Sequence, residues 1–128
     1  MSLKSSLYTY LSTYAGLTAL IGTRIYPAAE VPQGLKTYCA YSQLSNDRTY
    51  SHQGFSHLED TDLQINCYAE TTLSADAIAA QVTLAIEAWP AANADAQAAF
   101  VNTISDLYEP QTDLHFSAVE VSISHSFS

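Results

Sequence analysis

Asp62-Leu-Gln-Ile-Asn-Cys-Tyr-Ala-Glu70 alternates, and Thr71-Thr-Leu-Ser-Ala-Asp-Ala-Ile-Ala-Ala-Gln-Val-Thr-Leu-Ala-Ile-Glu-Ala-Trp89, which follows it directly, does not. In the first part Leu63, Ile65, Cys67 and Ala69 fall on one side, and Gln64, Asn66, Tyr68 and Glu70 on the other. A period of two is what a half-buried strand requires, because successive side chains point to opposite faces. In the second part Ile78, Val82, Ala85, Ile86 and Trp89 recur at i, i+4, i+7, i+8 and i+11, one stripe of an α-helix. Thr71, Thr72 and Ser74 offer N-cap hydroxyls, and Asp76 places negative charge near the helix N-terminus, where the backbone dipole favours it. Pro90 is expected to end the helix, since the residue before a proline is pushed away from helical dihedrals. A strand feeding an amphipathic helix implies a sheet with a helix lying across it.

Working outward, Leu3, Leu7, Tyr10, Leu11 and Tyr14 repeat the same stripe, so residues 2–15 read as a first helix stopped by Gly16. Leu17 to Ile21 reads as a short apolar turn ended by Gly22. Arg24-Ile-Tyr-Pro27 is a brief extended piece, placed at a sheet edge because Pro27 has no N–H to give a ladder. Thr37 to Leu44 reads as a strand, and Ser45 to His57 as a long loop without a usable period. Loops of that length in compact domains are uncommon and tend to be functional. Phe100 to Tyr108 and Leu114 to Ser124 form a hairpin about Glu109-Pro-Gln-Thr-Asp113. The fold class is α+β: an antiparallel sheet of about four to five strands with two helices packed on one face.

The chain has 128 residues, consistent with one domain over 1–128 that buries roughly two thirds of its unfolded surface. Only 13% of residues are charged, and thirteen acids face four bases (Lys4, Arg24, Lys36 and Arg48), a net charge of −9. That balance argues against sequence-specific nucleic-acid binding and against docking on anionic lipid, both of which need clustered cations. It is compatible with DNA passing close by without sticking. With nine tyrosines and few charges, much surface is left uncharged, as in subunits that pack against their own copies. No signal peptide and no membrane span is read, and a cytoplasmic site of synthesis is expected. Cys39 and Cys67 come opposite each other if strands 37–45 and 58–70 pair. A disulfide is conceivable there, and two reduced buried thiols are the favoured reading.

Chemistry is sparse. His52, His57, His115 and His125 have no cysteine or carboxylate at a ligand spacing, so no metal is expected. Glu59, Asp60 and Asp62 read as a solvated acidic edge and not as a catalytic pair, which would need burial to separate their pKa values. Phosphate loops and nucleophile elbows are absent, and no cofactor is implied. A pocket between sheet and helix lined by Tyr38, Tyr41 and Tyr68 would make the chain a small ligand-binding or enzymatic domain; the convergent polar groups such a site uses are lacking. On the main helix, Leu84 projects away from the buried stripe and joins Leu73, Ala77 and Ala80 in a weakly apolar second face, a candidate subunit interface. Arg48, Tyr50 and Phe55 are carried by the long loop and are candidates for docking.

The order of motifs resembles the tail-completion, or head-to-tail joining, proteins of long-tailed bacteriophages and gene transfer agents. The marks are a helix ending in Leu17-Thr-Ala-Leu-Ile-Gly22, then Arg24-Ile-Tyr-Pro27, a strand and long loop, Leu63-Gln-Ile-Asn-Cys-Tyr-Ala69, and a helix from Ala75-Asp-Ala-Ile78. Tyr108-Glu-Pro110 and the strand through Val119-Glu-Val121 complete the set. The resemblance implies a structural virion protein and no enzyme. Such proteins form a ring, usually taken as a hexamer, that caps the head-proximal end of the tail tube. Their implied partners are copies of themselves, the tail tube protein and the head connector or stopper, on one side or the other of the neck. Glu59, Asp60 and Asp62 would then face a channel through which DNA slides, repelled by the acidic wall.

Overall fold

A computed structural model describes the backbone of residues 3–27, 31–32, 34–51, 54–92, 98–111 and 113–126, and the side chains of 7–27, 31–32, 34–44, 60–89, 98–111 and 113–124. In chain order the elements are α1 (Leu3–Thr13), α2 (Ala15–Ile21), β1 (Ile25–Pro27), β2 (Tyr38–Ser51), β3 (Gly54–Ala69), α3 (Thr72–Ala92), β4 (Ala98–Glu109) and β5 (Leu114–Ser126). The five strands make one sheet in the order β1-β2-β3-β5-β4. All neighbours pair antiparallel except β1, which runs parallel to β2 with Ile25 opposite Cys39. The fold is α+β, with a mostly antiparallel sheet.

The alternation in β3 sorts the sheet into two faces. Leu63, Ile65, Cys67 and Ala69 are fully buried, together with Cys39 of β2 and Val119, Val121 and Ile123 of β5, and Tyr41 of β2 is nearly so. Against them pack Ile78, Val82, Ala85, Ile86 and Trp89 of α3, Leu7 and Leu11 of α1, and Leu17 and Ile21 of α2, in one continuous core. Each of the larger side chains stabilises the fold by about 1.5–3 kcal/mol through loss of apolar surface from water. Trp89 lies at the centre, its ring stacked on Tyr10 at 5.4 Å and 6°, while the Tyr10 hydroxyl donates to the Ala85 carbonyl at 2.8 Å.

Several elements depart from the sequence reading, each for an identifiable reason. The first helix is not one piece over 2–15: Tyr14 is extended (φ −78°, ψ 112°) and divides it into α1 and α2. Gly16 therefore does not terminate a helix. It sits in the first turn of α2, where a Cβ would meet the carboxamide oxygen at the movable end of the Gln81 side chain. Gly22 does end α2, with φ 61° and its N–H bonded to the Thr18 carbonyl at 2.9 Å. Thr71 caps α3, its hydroxyl accepting from the Ser74 N–H at 3.2 Å. Pro90 does not stop that helix, which runs on to Ala92. A proline this near a C-terminus removes one intrahelical hydrogen bond with only a short last turn still to follow.

The largest correction concerns residues 45–57. They are not a long loop: β2 continues to Ser51 and β3 begins at Gly54, so the two strands form one long hairpin. Its outer pairs run from Ser45 opposite Asp62 through Arg48 opposite Glu59 to Ser51 opposite Gly54, with register shifts at Gln43/Ser45 and Thr49/Ser51. A ladder needs backbone partners, not hydrophobic alternation, so a polar run can be a strand once a neighbour is there to pair with it.

Candidate functional site

The two faces of the sheet differ in kind, and the open one carries the charge. Opposite residues in an antiparallel pair share a face, so Asp60, Asp62, Gln64, Asn66 and Tyr68 of β3 stand beside Ser124, Ser122, Glu120, Ala118 and Phe116 of β5 on the face away from the helices. At one end an aromatic ladder forms, Tyr38 stacked on Tyr68 at 4.6 Å and Tyr68 on Phe116 at 4.8 Å. Tyr26, Val31 and Leu35 pack against this cluster, which includes buried Ala40 and Leu114. Burial, reinforced by Tyr68 and Glu109 nearby, pushes the Tyr38 phenol up to about 12. Tyr68 is raised by the same burial and by Glu109.

At the other end the face is polar and acidic. Ser124 donates its hydroxyl to Asp60 at 2.5 Å, and Ser122 donates to Asp62 at 2.6 Å. Asn102 of β4 donates to the Ser122 oxygen at 2.7 Å, and Thr103 approaches Glu120 at 3.5 Å. Gln64 donates to Asn66 at 2.8 Å. Cross-strand hydroxyls thus hold the carboxylates in place, and β3, β4 and β5 contain no Lys or Arg. Of the three acids singled out above, Asp60 and Asp62 lie on this face; the Glu59 side chain is outside the described residues. Glu120 joins them. It was legible as a polar residue inside Val119-Glu-Val121, but only the register puts it level with Gln64 and next to the aspartates.

On the helical side, Leu73, Ala77, Ala80 and Leu84 are all exposed, Leu73 at 82% and Leu84 at 52%. They form one stripe of α3 opposite its buried face. Beside it a groove of about 250 Å³ lies between α2 and α3, lined by Leu20, Thr37, Ser74, Ala77 and Ile78. A pocket built from Tyr38, Tyr41 and Tyr68 does not form. Tyr41 is in the helical core and Tyr38 and Tyr68 are on the opposite face, because residues 38 and 41 of a strand differ by an odd number. Arg48 and Tyr50 lie in β2 and Phe55 in β3, so the loop assigned to them is strand; their side chains are outside the described residues.

Cys39 and Cys67 face each other across β2 and β3 as free, buried thiols. A hydrogen bond with Cys39, together with burial, pushes the Cys67 thiol well up, which leaves it unreactive. Among the described residues no three His, Cys, Asp or Glu side chains converge, and no helix is long and apolar enough to cross a membrane.

Fold and surface together define the class: an α+β domain whose distinctive features are extended surfaces, an acidic open sheet face and a small-residue helix stripe. The chain belongs to the family described as tail completion protein gp17, whose profile matches residues 5–126, and it is a structural protein of a phage-like particle. In three dimensions it is similar to a chain from the virion of a native gene transfer agent particle, at 20% sequence identity and a TM-score of 0.79, over 98% of this chain and 96% of that one. No curated protein sequence matches it.

Proposed function

We propose that the protein caps the head-proximal end of a tail tube as a ring of about six copies and joins the tail to the head connector. The observation that carries this reading, given the family, is the acidic sheet face. Asp60 and Asp62 accept from the hydroxyls of Ser124 and Ser122, Thr103 approaches Glu120, and β3, β4 and β5 contain no Lys or Arg. Turned toward a central channel, that wall repels DNA phosphates and lets the genome slide, because like charges in a confined, poorly screened space raise the local potential. The α3 stripe of Leu73, Ala77, Ala80 and Leu84 supplies one part of the contact between neighbours. The hairpin carrying Arg48, Tyr50 and Phe55 is the part that reaches the tube or the connector. The test is mass in solution, by light scattering with sizing, for the protein alone and then with purified tail tubes. A ring, alone or on tubes, is expected; a monomer indifferent to tubes and connectors would remove the reading. If Leu84→Glu leaves the ring intact, the stripe is not part of the contact. Binding to heads in preference to tails would place the protein on the capsid side of the neck instead.

A further inference from the structure

The chain has two cysteines, and the fold sets them directly against each other: Cys39 of β2 is opposite Cys67 of β3, both fully buried. Which kind of opposition this is follows from one backbone bond. The Cys39 N–H donates to the Arg24 carbonyl at 3.0 Å, on the β1 side, so the backbone polar groups of Cys39 point away from β3. Cys39 and Cys67 are therefore a non-hydrogen-bonded antiparallel pair, the closer of the two kinds, with Cα atoms about 4.5 Å apart. A disulfide takes Cα separations of about 4.4–6.8 Å, so the strands need not move to form one. Both side chains are on the helix-covered face, and a hydrogen bond already joins the thiols.

Buried cysteine packs as a small apolar residue, and what two in contact add is a reaction. We propose that Cys39 and Cys67 are a redox pair, free thiols in reducing surroundings and a cross-strand disulfide in oxidising ones. The inference does not depend on the ring reading. With a small disulfide such as oxidised glutathione as oxidant, Cys39 gives up its proton and its sulfur attacks the reagent, forming a mixed disulfide and releasing one glutathione thiolate. Cys67 then loses its proton and attacks the Cys39 sulfur, breaking the mixed disulfide and releasing the second glutathione. The protein gives up two electrons and two protons, and the reagent leaves as two thiols.

The order of attack follows from the strand order. In the closed fold neither residue is accessible. Cys39 lies one strand in from the sheet edge, and the strand outside it, β1, is three residues long and ends in Pro27. Local opening there breaks few backbone bonds, so Cys39 is the sulfur reached first. Cys67 lies deeper, between β2 and β5, and resolves the intermediate. The link closes residues 40–66 into a loop and ties the two strands at the base of the hairpin that carries Arg48, Tyr50 and Phe55. A particle that leaves a cell passes from surroundings that keep thiols reduced into ones that do not, and the hairpin base hardens after that passage.

The test uses the full chain in glutathione buffers of rising oxidised fraction, with urea below the unfolding transition to promote local opening. Samples are then denatured, alkylated and weighed by intact mass. A monomeric product lacking the mass of two hydrogen atoms is expected, with Cys39 and Cys67 in one linked peptide. Its urea midpoint should rise by about 1 M or more and return on reduction. Thiols that stay free in fully oxidised glutathione, covalent dimers in place of the internal link, or a midpoint that the link lowers or leaves unmoved would each overturn the proposal. Cys67→Ala removes the resolving sulfur, and a stable glutathione adduct on Cys39 is expected. No adduct, in a variant whose circular dichroism spectrum matches the parent, would overturn the order of attack. Cys39→Ala with Cys67→Ala should have a midpoint that oxidised glutathione does not move; a shift of the parent's size there would overturn the link as the source of the stabilisation.

Discussion

The helix-covered face and the open face of this sheet are made by the same five strands, yet they are held by different forces. On the covered face Leu63, Ile65, Val119, Val121 and Ile123 meet α3 in a dry core, and geometry there is fixed by packing. On the open face the aromatic ladder of Tyr38, Tyr68 and Phe116 at one end gives way to carboxylates and hydroxyls at the other. The difference separates stability from function. One face can be altered only at a cost to folding, whereas the other can change its chemistry with the fold left standing.

Trp89 gives the largest expected break. Trp89→Ala empties the centre of the core and removes the stack on Tyr10, and should lower unfolding free energy in urea by about 3–5 kcal/mol. Trp89→Phe should cost much less than that, because among the described residues the buried indole Nε1 has no hydrogen-bond partner to lose. If both variants lose the same amount, the indole has a partner and the account of this core is wrong.

Serines at matched places on β5 make a sharper pair. Ser117 is on the covered side, 1% exposed, with its hydroxyl 3.1 Å from both Asp76 of α3 and Asp106 of β4. It can donate to only one at a time, so it ties two elements to the strand by exchange. Ser117→Ala should cost about 1–3 kcal/mol, since two carboxylates lose a shared buried donor. Ser122→Ala, on the open face, also deletes a bond to an aspartate, yet water can replace it there; a change within about 0.5 kcal/mol is expected. Equal losses in urea titrations would mean that the open face is as structural as the core.

Much of this contrast was legible in the sequence, because it rests on periods. The alternation of 63–69 and the helical stripe from Ile78 to Trp89 place the core correctly, and the second stripe of Leu73, Ala77, Ala80 and Leu84 is exposed as the 3.6 repeat requires. What the sequence hides is pairing. Residues 45–51 and 54–57 have no hydrophobic period, and their strand character comes from neighbours that supply backbone partners. Glu120 becomes part of an acidic wall only when register puts it beside Gln64 and Asp62. The exposure of β4 is equally hidden: nothing in the run Phe100 to Tyr108 marks Phe100 and Ile104 as exposed, and only strand order leaves that strand at an edge. Gly16 and Pro90 mislead for a related reason, since a residue able to end a helix does so only where tertiary contacts allow.

The smallest effect concerns the one place where the open face behaves like a core. The Tyr38 phenol is held neutral by burial and by its neighbours Tyr68 and Glu109, its pKa pushed up to about 12 from an unfolded value near 10. A group whose folded pKa exceeds its unfolded one contributes stability that is intact below the unfolded value and is lost as pH rises through the folded one. The urea midpoint should therefore hold up to about pH 10 and fall between about pH 10 and 12. Tyr38→Phe removes this ionisation and should flatten that fall while leaving the midpoint at neutral pH nearly unchanged. Tyr68 and Tyr10, both raised by burial, leave a residual slope. A fall in the variant as steep as in the parent would mean that Tyr38 ionises freely, and that the aromatic end of the open face is wet like the rest of it. The contrast between faces would then be complete, where the present structure makes it a contrast between the whole of one face and the acidic end of the other.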